Sequence, residues 1–276
     1  MADPLAHKIP PRTRVHLRDY PTDGDGGLDK KEGEAQLAPL LEELEELQEL
    51  MWGAQTHALL AVLQGRDAAG KDGVINHVLN AIDPQGLQVT AFKAPSEEEA
   101  DHDFLWRIHS AVPRKGVVGV FNRSQYEQVL VVRVHELAPP AQIEAAYDQI
   151  NHFERLLTET GTVVVKFYLH LSRDEQRERL LAREKEVGKA WKLNLGDWAE
   201  RPYWDAHTQA YEEAMSRCST DYAPWYVIPA DRKWAAHLAV AQVLVDTLRP
   251  YRQGWVDKLT ALQKKMLTEL AKVDKP

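Results

Sequence analysis

The stretch Ala61–Gly73, AVLQGRDAAGKDG, constrains the fold more than any other part of the chain. A short apolar run ends in a glycine turn, and a Gly-Lys pair then opens a helix. Gly65, Gly70 and Lys71 fit the phosphate-loop spacing G-x-x-x-x-G-K between a strand and a helix. Small residues let backbone N–H groups curl around phosphate oxygens. The helix start adds the positive end of its dipole, and Lys71 adds a point charge. The same spacing also occurs in a tight strand-to-helix turn with a surface lysine, so the surrounding pattern decides its meaning.

That pattern alternates. Apolar runs predict strands over 57–64, 87–92, 117–121, 162–171 and 225–228. Helical spacing predicts helices over 34–52, 72–82, 97–110, 124–137, 139–160, 173–185, 204–217, 233–248 and 251–273. Strands separated by helices imply a five-stranded, mainly parallel sheet covered on both faces, a three-layer α/β fold. Residues 1–33, with Pro4, Pro10, Pro11, Pro21 and a DGDGG run, read as an extended arm without regular structure. Residues 34–250 then form the phosphate-loop domain and 251–276 a C-terminal helix. Within the domain, 184–203 reads as a lid, because VGKAWKLNLGDWAERPY has no clean period and reads as a mobile loop. Leu40, Leu41, Leu44, Leu47 and Leu50 make a helical stripe suited to core or subunit packing.

Composition narrows the class. With 34 basic and 42 acidic residues, a net charge of −8 argues against a general nucleic-acid coat. A single cysteine, Cys218, excludes an internal disulfide and a cysteine-rich zinc site, and reads as a small half-buried helix residue. The first residues carry no apolar core of a signal peptide, and no run is long enough to cross a bilayer. The expected compartment is the cytoplasm, with neither nucleic acid nor membrane as partner.

Three segments carry the chemistry. In the loop, Asp72 stands where a Ser or Thr usually touches magnesium, and Asp67 lies inside the turn. A carboxylate beside phosphates is repelled unless a cation sits between them, so Asp67 is a candidate Mg²⁺ (or Mn²⁺) ligand. The competing reading makes it a cap of the next helix. In VVGVFNRSQYEQVLVVRVH (117–135), Asn122 ends a strand where an Asp often helps hold magnesium, and Glu127 can restore the missing charge. Arg123 faces the same strand-end crevice with a fork suited to phosphate, or makes a surface salt bridge. In SRDEQRERLLAREKEVGKAWK (172–192), Arg177, Arg179, Arg183, Lys185, Lys189 and Lys192 lead into a glycine-broken loop. Mixed-charge helices are usually solvated, but a water-excluding lid over phosphates needs this composition. His102, His109, His135, His152, His170 and His207 show no zinc spacing and read as structural or solvent residues. Trp191, Trp198, Trp204 and Trp225 read as core packing near the lid, with stacking on a purine as the alternative.

Taken in order, these blocks resemble the second family of polyphosphate kinases. The chain reads Gly65-Arg66-Asp67-Ala68-Ala69-Gly70-Lys71, then Phe121-Asn122-Arg123-Ser124-Gln125-Tyr126-Glu127, then Ser172-Arg173-Asp174-Glu175-Gln176-Arg177-Glu178-Arg179, ending Leu180-Leu181-Ala182-Arg183. The resemblance spans roughly residues 35–250. It implies a fold like thymidylate kinase with a helical lid, phosphoryl transfer between inorganic polyphosphate and AMP, ADP or ATP, and a homodimer or homotetramer. Asn122 resembles a subgroup that phosphorylates both AMP and ADP. Gln125 and Gln128 stand where that subgroup carries His and Asp.

The expected catalytic set is Asp67, Lys71, Arg123, Arg179 and Arg183, with metal ligands Asp67, Asn122 and Glu127. Phosphates are expected on Gly65, Arg66, Ala68, Ala69, Gly70, Lys71 and Asp72, and on a basic track through Lys93, Arg114, Lys115, Arg133 and Lys189. Two other readings stay open: an ATP-dependent nucleoside or nucleotide kinase, and a non-catalytic nucleotide-binding protein.

Overall fold

A computed structural model describes residues 4–185 and 194–272. The strands are β1 (His7–Ile9), β2 (Ala58–Gly65), β3 (Leu87–Ala91), β4 (Val118–Asn122), β5 (Thr162–His170) and β6 (Trp225–Pro229). The helices are α1 (Lys30–Ala54), α2 (Lys71–His77), α3 (Glu97–Ala100), α4 (Trp106–Ser110), α5 (Val131–Val134), α6 (Pro140–Glu159), α7 (Arg173–Lys185), α8 (Leu195–Ala199), α9 (Trp204–Cys218), α10 (Lys233–Leu248) and α11 (Arg252–Leu270).

The strands form one sheet in the order β1-β6-β5-β2-β4-β3. All neighbours are parallel except β1, which runs antiparallel along β6 with Ile9 opposite Trp225. The sheet therefore has six strands, not five, and the arm 1–33 is not wholly irregular. A three-residue edge strand is too short to show an alternating pattern, so only its pairing reveals it. The arm also ends early. Asp29 accepts from the Glu32 amide at 2.8 Å while Glu32 accepts from the Asp29 amide at 2.9 Å, a capping box that starts α1 at Lys30.

β2 is buried along its whole length. Alternate residues point to opposite faces. Leu59, Ala61 and Leu63 pack with Leu44 and Leu47 of α1, Val74 of α2, Leu244 of α10 and Trp255 of α11. Leu60 and Val62 pack with Tyr147 and Ile150 of α6 and Met215 of α9. Leu40, Leu41 and Leu50 join the first cluster, so the leucine stripe is used within the chain.

Several predicted helices are shorter or broken. Residues 97–110 hold two helices, and 124–137 begin with a 3-10 turn, Gln125–Val129, before α5. Ser124 starts that turn by accepting from the Tyr126 amide with its own hydroxyl, an alternative to α-helical bonding. Residues 194–203, read as loop, contain α8 and a 3-10 turn, Arg201–Tyr203. Cys218 is fully buried rather than half-buried, and burial pushes its thiol up to about 12, which makes it inert. Among the described residues, no helix is long and apolar enough to cross a membrane.

Candidate active site

The chain reverses its direction of travel across the sheet at β2, with β4 and β3 on one side and β5 and β6 on the other. Ligands in open α/β sheets bind at the carboxyl ends of strands flanking such a switch. Here two loops meet there, because Leu63 of β2 lies opposite Asn122 of β4.

Gly65 and Gly70 have φ of 154° and 107°. A Cβ on Gly65 would lie 3.0 Å from the Leu169 carbonyl oxygen and 3.1 Å from the Ala69 Cβ, so the tight turn requires glycine. Ala68 (φ 66°) and Arg123 (φ 64°), one on each loop, are non-glycine residues in the left-handed region. Each costs about 1–2 kcal/mol and is held by its surroundings, and strain of this kind clusters at functional sites.

Lys71 curls back over the loop. Its Nζ donates to the Gly65 carbonyl at 2.6 Å and the Arg66 carbonyl at 3.2 Å. Burial, then the neighbouring Arg123 charge, push it down to about 8, while Asp67, Glu127 and Asp72 pull the other way. Arg123 bridges two carboxylates, donating to Asp67 Oδ1 at 2.7 Å and Glu127 Oε2 at 3.0 Å. Burial works against its charge, but Glu127 and Asp67 more than offset that. Gln64 donates to the other Glu127 oxygen at 3.1 Å. Glu127, expected as a metal ligand, has both oxygens engaged here and orients Arg123. The Asn122 amide donates to Asp72 Oδ1 at 3.0 Å.

Arg179 fastens three elements. Its Nε donates to Glu175 at 2.8 Å, one terminal nitrogen to the Ala68 and Ala69 carbonyls at 3.0 and 3.3 Å, and the other to the Ala230 and Asp231 carbonyls at 2.7 and 2.9 Å. Its fork holds the loop in shape, where a clamp on phosphate was expected. Arg66 also turns from the loop. It stacks on Trp204 with its guanidinium carbon 3.7 Å from the ring centre and donates to Thr208 at 2.6 Å. Arg183 pairs with Asp197 at 2.8 Å. Burial, then Asp67, push the Asp197 carboxyl above its usual range.

Among the described residues, the rest of the basic track is scattered. Lys93 is exposed, two residues past the end of β3, on the sheet end that carries the loop. Arg114 and Lys115 precede β4 and so lie at the opposite end of the strands. Arg114 stacks on Trp52, and the Lys115 charge acts on His57 at the start of β2. Arg133 is spent on Tyr147 and Glu213, each at 2.6 Å. Lys189, Lys192 and Trp191 lie outside the described residues. Trp225 is buried in the core against Tyr126.

A cavity of about 240 Å³ joins the two loops to 194–211, with Asp67, Arg123, Gln176, Asp197, Glu200, Trp204 and His207 on its wall. A larger groove of about 770 Å³ beside Arg133 and Tyr147 holds neither loop. Gln176 donates to the Asp67 carbonyl at 3.0 Å and accepts from Arg201 at 2.7 Å. Asp197, Glu200 and Gln176 were not singled out from sequence. The signal for α8 was Asn194, which caps it by accepting from the Gly196 amide.

The turn carrying Glu127 rests on a buried ion pair. Lys166 of β5 donates to Glu154 at 2.5 Å, the Tyr126 hydroxyl at 2.9 Å and the Cys218 carbonyl at 2.7 Å. Gln125 donates to Glu154 at 3.0 Å, so its side chain serves this network and not the crevice. For magnesium, Asp67 on the cavity wall beside a phosphate-type loop is a fitting hard oxygen ligand, since that ion needs only one or two carboxylates besides phosphates and water.

A model of the polyphosphate kinase 2 family matches residues 27–253. The chain belongs to the polyphosphate kinase 2 family. It is 42% identical over 260 residues to an AMP/ADP-polyphosphate phosphotransferase of Meiothermus ruber, covering 94% of this chain and 97% of the relative. It is 43% identical over 267 residues to an ADP-polyphosphate phosphotransferase of Rhodopseudomonas palustris, covering 92% of each. A crystal structure of polyphosphate kinase 2 from Arthrobacter aurescens TC1 matches with a TM-score of 0.82 and 47% identity, over 86% of this chain and 87% of that one. The α/β fold with its six-stranded, mainly parallel sheet is that of this family's solved structures.

Proposed function

We propose that the chain is a magnesium-assisted polyphosphate:AMP/ADP phosphotransferase with a thymidylate-kinase-like phosphate-loop fold. The observation that carries this is the crevice at β2 and β4, where Lys71, Arg123 and Asp67 converge on a strained, glycine-bounded loop. The printed substrates of its relatives supply the nucleotides.

In this reading a phosphate oxygen of AMP or ADP attacks the terminal phosphorus of polyphosphate. The bond to the next bridging oxygen breaks, and a chain one phosphate shorter leaves. The nucleophile is already charged, so no side chain is required as a base. Loop amides and Lys71 hold phosphates, and Arg123, aimed by Asp67 and Glu127, stabilises charge on the transferring group. Asp67, with Asn122 nearby, would hold Mg²⁺, whose contribution is to neutralise charge between phosphates. Arg179 is a positioning residue here, and Arg183 holds the lid carboxylate Asp197. Residues 184–203 act as the lid of a 34–250 kinase domain, flanked by the N-terminal arm and the C-terminal helix. A homodimer or homotetramer would cover the exposed Leu262, Met266, Leu267 and Leu270 of α11. The assay is AMP or ADP with long-chain polyphosphate and Mg²⁺, without ATP, read as ATP formed. No ATP from either nucleotide refutes the reading and favours an ATP-using kinase on this fold.

A further inference from the structure

We propose that His135, Glu200 and His207 form a binding site for a divalent transition-metal ion of the zinc class, which ties the cavity wall at 194–203 to the body of the chain. The three residues come from separate elements. His135 ends α5, Glu200 follows α8, and His207 lies on α9. Their ligand atoms all lie within 4.8 Å of one another. His135 Nε2 is 3.0 Å from Glu200 Oε1, and His207 Nε2 is 2.8 Å from Glu200 Oε2.

Bonds of about 2.0–2.2 Å in a tetrahedral site set ligand atoms about 3.4 Å apart. The set is therefore near that arrangement, and small side-chain rotations complete it. Two imidazoles and one carboxylate suit zinc, cobalt or nickel, whereas magnesium prefers oxygens alone. The site is thus chemically distinct from the Asp67 region.

Three protein ligands leave a fourth position for water or a phosphate oxygen. Glu200 and His207 also line the cavity that Asp67 and Arg123 line, so an ion there sits beside the substrate space. It joins α8 and the following turn to α5 and α9, restraining the wall that the lid would move.

The test is calorimetric titration of ZnCl₂ into tag-free full-length protein in excess Mg²⁺, with Co²⁺ absorption bands as a second readout. The chain carries 11 histidines, so stoichiometry and variants together define the site. One tight equivalent is expected, retained in Asp67→Asn and weakened in His135→Ala by more than the roughly 10–100-fold cost of losing an outer partner. Glu200→Gln should weaken it similarly, with altered Co²⁺ bands. His135 is partly exposed, so its variant keeps the test alive if His207→Ala fails to fold. No tight equivalent, binding indifferent to His135→Ala, or binding lost in Asp67→Asn overturns the proposal. None of these readouts depends on phosphoryl transfer.

Discussion

Replacing Lys166 by Met should destabilise the chain strongly and slow transfer without touching the crevice. Lys166 and Glu154 are both fully buried, and their side chains pair at 2.5 Å. Removing one partner of a buried pair strands the other charge and costs about 3–5 kcal/mol. At about 2–4 °C per kcal/mol for a domain of this size, the melting temperature should fall by about 6–20 °C. Glu154→Leu should also destabilise, and the double variant should lose less than the two singles together by about 2 kcal/mol, near the upper range for coupled neighbours.

A pH arm separates charge from packing in Lys166→Met. Burial already holds the Glu154 carboxyl above its ordinary value of 4.5, despite the attraction of Lys166. Without Lys166 that elevation grows. A carboxyl raised in the folded state binds more protons there than when unfolded, so the deficit should shrink as pH falls through the folded value and stop shrinking near 4.5. Turnover should fall as well, because Tyr126 anchors the turn that presents Glu127 to Arg123. Urea titrations at several pH values and steady-state kinetics measure all of this. Additivity of the single variants within about 0.5 kcal/mol, or a deficit independent of pH, refutes the reasoning.

Three further outcomes are expected. Asp67→Asn should lower turnover at saturating Mg²⁺ by at least roughly 10²–10³-fold, the size of losing one preorganised charge-stabilising group, and near-wild-type turnover removes Asp67 from the mechanism. Burial pushes Lys71 down to about 8 and, on the proposed reading, its charge holds phosphate, so log kcat/KM should bend downward as pH rises past about 8, and a flat profile through pH 9 contradicts that role. Arg179→Lys keeps the charge but loses the fork that grips four carbonyls, and should cost about a hundredfold in turnover through loop misplacement, which an unchanged rate would disprove.

What sequence reveals here follows the range of each interaction. The loop at 65–71 and all five longer strands were legible, because glycine spacing and apolar runs act over a few residues. β1 was not, since three residues carry no period and Ile9 gains meaning only opposite Trp225. Lys71 and Arg123 come together beside one crevice, because strand ends in a parallel sheet share one side. Arg114 and Lys115 failed the same logic, since they stand before a strand and not after it. Arg133, Arg179 and Arg66 show the other limit. Their charges were visible, but their partners, Glu213, the Ala230 carbonyl and Trp204, lie 50 or more residues away in sequence. His135 and His207 likewise had no local spacing to mark them, and the packing of α5 on α9 brings them together, with Glu200 bonded to both.

The five bonds of Arg179 gear two parts of the molecule to each other. One guanidinium rooted in α7 grips both the loop and the segment after β6, so on the proposed reading a lid hinged at α7 would tug the phosphate cradle as it swings. Opening such a lid and loosening its cargo would then be one stroke, with release of the shortened polyanion following from that shared linkage.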